Sequence, residues 1–106
     1  MKLTELYADV CAHEPVEEAL FLSRLSDGVR ALVNRFPTGL LLAGGVSLPL
    51  PALTMAGDMP FDDAYALALV YCALGDEERF DDAAEAAYRC LWRRRAQRLA
   101  RVSGRW

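Results

Sequence analysis

The residues able to do chemistry in this chain are few and scattered. Its 106 residues include one histidine, His13, and three cysteines, Cys11, Cys72 and Cys90. An odd number of widely spaced thiols beside apolar neighbours fits buried free cysteines in a reducing compartment better than a disulfide framework. With a single histidine, zinc would depend on carboxylates or thiolates that show no ligand spacing, so no metal and no cofactor is expected. The acid pairs Asp62-Asp63 and Asp81-Asp82 have the residue type for general acid–base work. Both fall where a helix is expected to begin, and there a carboxylate stabilises the positive end of the helix dipole. Ala43-Gly44-Gly45 lacks the Lys-Ser/Thr that completes a phosphate-binding loop. Ser26 and Ser47 have no base in their sequence context, and Cys90 has only His13 in the whole chain to act as one. This inventory holds no catalytic set, and the chain is expected not to be an enzyme.

What the sequence does concentrate is cationic charge. Residues 89–106 contain seven arginines and no acid, whereas residues 1–88 carry 5 basic and 15 acidic side chains. The total of −3 is therefore the sum of −10 and +7. Such segregation builds no core; it bears on partners. One or two basic residues would satisfy the C-terminal end of a helix dipole, and an ordinary solvated face mixes both signs. Seven arginines exceed both needs.

The elements that must carry this charge follow from the apolar spacing. Leu3, Leu6, Tyr7, Val10 and Cys11 form one helical stripe. Glu14-Pro15 restarts the chain, and Pro15 with Glu17 and Glu18 suits the first turn of a second helix running to about Phe36. Its stripe is Phe21, Leu22, Leu25, Val29, Leu32, Val33 and Phe36, with Gly28 inside at a modest cost. Residues 38–59 mix four glycines and two prolines with apolar residues. Leu40-Leu41-Leu42-Ala43 and Val46-Ser47-Leu48 flank Gly44-Gly45, which predicts a small hairpin, and Pro49 and Pro51 predict an extended run beyond it. Pro60, Asp62 and Asp63 mark a third helix, and residues 64–74 are all apolar or tyrosine. A helix apolar on every side is buried on every side, and the excess suggests a second subunit. Gly75-Asp76 closes it and opens a fourth helix that reaches about Val102, with Ser103-Gly104 as the stop. The expectation is thus an all-α domain spanning residues 1–106, a small bundle of about four helices with a long apolar Gly/Pro-rich loop or hairpin between the second and third.

On the fourth helix, Ala84, Tyr88, Leu91, Leu99 and Val102 share a face expected to pack inward, with Arg95 in the same stripe either snorkelling or pairing with an acid. Arg94, Arg98, Arg101 and Arg105 form a purely basic stripe beside it, and Arg89 and Arg93 occupy a third sector. Trp106 is expected either to be held by a neighbouring chain or to fold back on its own subunit. The start Met1-Lys2-Leu3-Thr4-Glu5 has no signal-peptide pattern. Residues 37–57 are uncharged but broken by glycine and proline, so no membrane span and a cytosolic chain are expected.

The layout resembles the head–tail connector (adaptor) proteins of tailed bacteriophages. The resemblance runs from about residue 5 to residue 99. It rests on a short helix, a long helix ending near Pro37 and an apolar loop with Leu48-Pro49. It continues with Pro60-Phe61-Asp62-Asp63-Ala64-Tyr65 leading into Ala68-Leu69-Val70-Tyr71-Cys72-Ala73-Leu74, then Asp76 and a helix bearing Tyr88. The stretch between Leu48-Pro49 and Pro60 is longer than the family pattern. The resemblance implies a structural virion protein of the neck, assembled in the host cytoplasm as a ring of about a dozen copies below the portal protein. Such a ring extends the DNA channel without reading its sequence and offers a platform to tail or stopper proteins. It implies that Arg94, Arg98, Arg101, Arg105 and Trp106 dock on the portal. Leu40, Leu41, Leu42, Val46, Leu48, Ala68, Val70 and Tyr71 would then make the subunit contacts. The alternative is a small nucleic-acid-binding protein that grips phosphates with the same arginines. The net acidity and the lack of a groove-reading motif weigh against it.

Overall fold

The apolar run at residues 64–74 becomes the centre of the molecule in the computed structural model of the chain. The structure describes residues 1–43, 46, 50 and 52–103, the side chains of residues 38 and 100–103 excepted. Among them are four α-helices, α1 (Leu3–His13), α2 (Glu18–Arg35), α3 (Ala66–Ala73) and α4 (Glu77–Ser103), and two 3-10 turns, Thr38–Leu40 and Asp63–Tyr65. No strand occurs among the described residues. The protein is a small all-α bundle. Helix α3 packs against α1, α2 and α4. No helix of the described residues is long and apolar enough to cross a membrane.

The stripes read from the sequence supply the core. Leu3, Leu6 and Val10 of α1 are buried, as are Phe21, Leu25, Val29 and Leu32 of α2, and Ala68, Leu69, Val70 and Ala73 of α3. Among the described residues no polar or charged side chain is buried. Helix α2 starts at Glu18, three residues later than Pro15 suggests. Val16 is instead a buried extended residue whose carbonyl accepts the Tyr7 hydroxyl at 2.6 Å. Gly28 lets α3 approach closely, for a Cβ there would collide with the Cys72 thiol.

The passage from α3 to α4 is set by Gly75-Asp76. Gly75 has φ +80°, a conformation glycine takes without strain. The Gly75 N–H donates to the Cys72 carbonyl and the Asp76 N–H to the Tyr71 carbonyl, the paired bonds of a Schellman stop. Asp76 then caps α4 by accepting the Arg79 N–H at 3.1 Å.

Two expectations are corrected. Leu40 and Leu41 do not form a strand of the expected hairpin. Leu40 ends a 3-10 turn, and Leu42 pairs in an isolated antiparallel bridge with Phe61. The Asp62 N–H donates to the Leu41 carbonyl and the Ala43 N–H to the Pro60 carbonyl, so the loop is closed at its base. Gly44, Gly45, Ser47 and Leu48 lie outside the described residues. The second correction concerns Leu40, Leu41, Ala68 and Val70, expected at a subunit interface. Each is at most 8% exposed inside its own chain. Their first role is in the core of their own chain; only the edges of Leu40 and Val70 reach the surface, at a groove beside α4 and a hollow between α1 and α3. The short body leaves α3 almost enclosed, because its eight residues span only about 12 Å and three longer helices surround it.

Candidate functional site

Helix α4 outlasts the bundle it belongs to. Its 27 residues extend for about 40 Å, against a molecule 52 × 26 × 23 Å. Its first half is a core helix. Ala84 and Ala87 are buried, and Tyr88 and Leu91 pack against the core. Tyr88 stacks on Phe36 with ring centroids 4.8 Å apart. Phe36 also meets Tyr65 at 6.1 Å, and Tyr65 meets Phe61. This aromatic cluster fixes α4 against the end of α2 and the turn before α3. Arg35 adds two ion pairs, to Asp81 at 3.1 Å and Glu85 at 2.8 Å, both partly exposed and individually weak.

Beyond Leu91 the body ends. Each of residues 92–99 is exposed, so α4 continues past the apolar core as an arm. Leu99, expected to pack inward, is 59% exposed. Trp92 is 55% exposed. It stands one residue past Leu91, about 100° around the helix from the buried stripe.

The inward face of α4 does not stop at Leu91; it turns basic. Arg94, Arg95 and Arg98 overhang a groove of about 430 Å³ whose floor is Gly39, Leu40, Leu42 and Leu91 and whose rim includes Asp62. Arg95 lies along this groove, close enough that a Cβ on Gly39 would touch its Nη1 at 3.7 Å. Arg93, Arg94, Arg95 and Arg98 form no ion pair among the described residues, whereas Arg89 lies 3.8 Å from Glu85. Like charges one turn apart, as in Arg89/Arg93 and Arg94/Arg98, weaken a helix by roughly 0.2–0.5 kcal/mol per pair. An anionic partner would reverse that sign. The groove therefore suits an acidic group carried on an apolar stem, which guanidinium forks can grip bidentately.

Of the residues expected at partner contacts, Arg94 and Arg98 come together here, joined by Arg95. Leu40 and Leu42 serve as floor of the same groove. The side chain of Arg101 and all of Arg105 and Trp106 lie outside the described residues. Val46 and Tyr71 are half-buried elsewhere, and Tyr71 lies under the Arg79 guanidinium at 5.7 Å. Asp62 and Trp92 are the members that sequence reasoning missed. Asp62 was legible only as a cap, and it is one, accepting the Ala64 N–H at 2.9 Å. The exposure of Trp92 could have been suspected from its position off the Tyr88–Leu91 stripe.

The groups weighed for catalysis stay apart. His13 Nδ1 lies 3.0 Å from the Asp9 carbonyl. The Cys72 thiol donates to the Arg24 carbonyl at 3.2 Å, and burial, with Asp27 nearby, pushes its pKa up to about 11. Tyr65 donates to the Leu40 carbonyl at 2.8 Å; burial, then Asp62, pushes it up to about 12. Among the described residues no three His, Cys, Asp or Glu side chains are placed to hold a metal. No protein-family model, curated protein or solved structure matches this chain.

Proposed function

We propose that this chain is a non-enzymatic structural subunit of a tailed-bacteriophage head–tail connector, located in the virion neck and assembled in the host cytoplasm. A ring of about a dozen copies would sit below the portal protein, extend the DNA channel and present a surface to tail or stopper proteins. The observation that carries this reading is the arginine arm. A rigid helix projects from a well-packed body, and its basic groove is left without ion pairs among the described residues. That is the form of a part made to seat in another molecule. The order of helices and the basic end of α4 support it, as does the resemblance in residues 5–99. The acidic body suits a tube through which DNA slides without sticking.

Electron micrographs of the purified protein, alone and with portal protein, test the proposal. Rings that cap the portal are expected. Deleting residues 102–106, or replacing Arg94 and Arg98 by Glu, should leave a folded protein that no longer docks. Undiminished docking by both variants would remove the basic stripe from the mechanism.

The groove arginines, which pair with no acid among the described residues, also favour the second reading, a nucleic-acid-binding protein. The two differ in salt response. Phosphate binding weakens with a slope of about −0.9 per phosphate neutralised in log–log form on duplex DNA. Docking on a portal groove also buries Leu40, Leu42 and Leu91 and should retain most of its strength in salt.

A further inference from the structure

The arm has a second face that the basic groove does not use. Trp92, Ala96 and Leu99 stand at i, i+4 and i+7, with Arg93 beside them, on the side of α4 away from Arg94 and Arg98. All four are exposed. A tryptophan more than half exposed next to an arginine is the composition of an interface centre rather than of a solvated surface.

A surface of matching kind lies on the body. Between α1 and α3 is a hollow of about 330 Å³ lined by Ala12, Ala66, Leu67 and Val70, with Asp9 and His13 on its α1 side. Leu67 is 55% exposed on a helix whose other residues are buried or half-buried. Asp9 and Glu5 are one turn apart on α1, both exposed, and neither forms an ion pair among the described residues. The hollow offers an apolar seat with carboxylates beside it, the complement of an indole with a guanidinium beside it.

We infer that the outer face of α4 in one copy docks on the α1–α3 surface of the next copy, with Trp92 in the hollow beside Leu67 and Arg93 against Asp9 and Glu5. The occupant is a second copy because the charges of this chain complement each other and, past the Arg89–Glu85 pair, cannot meet along α4 itself. The nearest acid to Arg93 on its own α4 is Glu85, about 12 Å of helix away and already facing Arg35 and Arg89. Apart from Arg89, the terminal segment's positive charge is therefore answered by the acidic body of another molecule. The arm past Leu91, residues 92–103, is about 18 Å long, enough to cross most of a neighbour 23–26 Å wide. The two surfaces differ, so the contact is head-to-tail and propagates into a ring or a filament. This inference rests on the connector reading for its closure into a ring, but not for the contact itself.

The test uses the full chain with Trp106→Phe, leaving Trp92 as its single tryptophan. Self-association is followed by sedimentation and by Trp92 emission, which should shift to the blue as the protein assembles. Trp92→Ala, with assembly followed by sedimentation alone, Arg93→Glu, and the pair Glu5→Arg/Asp9→Arg should each weaken association at least about tenfold while helicity is retained. Mixing Arg93→Glu with Glu5→Arg/Asp9→Arg should restore mixed assemblies. Wild-type association in all variants, a monomer at every concentration, or a mixture that stays apart would each overturn the contact. Rings that survive every substitution would do so while leaving the connector reading intact. Assemblies that obey the charge swap yet never engage portal protein would overturn the connector reading and leave the contact standing. An arm that binds single-stranded DNA but no second copy would replace this partner with nucleic acid.

Discussion

Gly28 and Cys72 show how one residue sets the spacing of two helices. The thiol occupies the space a Cβ on Gly28 would need. Gly28→Ala gains helix propensity of about 1 kcal/mol but overpacks by about 1–3 kcal/mol, so net destabilisation in chemical denaturation is expected. Adding Cys72→Ala should recover part of that loss, a non-additive pair that separates steric collision from any other cause. The same thiol and Tyr65 make the fold sensitive to alkali. Both pKa values are raised above their ordinary 9.0 and 10.0, to about 11 and about 12, by burial. The folded chain thus holds these protons more tightly than the unfolded one. Their contribution is complete below pH 9 and is lost as pH rises through 11 and then 12. Thermal unfolding followed from pH 8 to 11 should show a falling midpoint, and Cys72→Ala should flatten the first part of the fall.

At the scale of elements, α3 and α4 divide the work of folding and reaching out. Helix α3 is short and enclosed. Ala68 is 1% exposed, while its neighbour Leu67 is 55% exposed. A charge at Ala68 would be buried without a partner, at a cost of several kcal/mol. Ala68→Glu should abolish a cooperative thermal transition, whereas Leu67→Glu should leave it within a few degrees of wild type. Equal damage from both would mean that the hollow beside Leu67 is part of the core. Helix α4 is long because its first half is packed and capped, by Asp76 at its start and by Tyr88 on Phe36. The arm is a continuation of an element already nucleated, so it needs no packing of its own to begin.

For the whole molecule, the consequence is a body that does not depend on its arm. The apolar packing of α4 ends with Leu91, and among residues 92–99 only Arg94, Arg95 and Arg98 overhang the edge of the core at Leu40. A chain ending at Leu91 should therefore keep its cooperative transition, with a stability change of about 1 kcal/mol or less. It should lose helical signal only in proportion to the residues removed. A collapse of the transition would show that the arm supports the body. The truncated chain would also keep all 15 acidic side chains but only six of the twelve basic ones, and its solubility should rise as its tendency to associate falls.

The sequence by itself determined the four helices, their stripes, the Gly75-Asp76 junction and the separation of charge. Each is local: helical periodicity, a cap or a positive φ is decided by residues a few positions apart. It also placed Arg94 and Arg98 on one face, since that too is a matter of spacing. Only the tertiary structure decided where the body stops along α4. A stripe that reads as inward is buried only where other elements meet it, and α3 is too short to bury the far half of α4. The same fact placed Leu40, Leu41, Ala68 and Val70 inside one chain. Burial depends on the sum of what surrounds a residue, and elements distant in sequence bring those surroundings together.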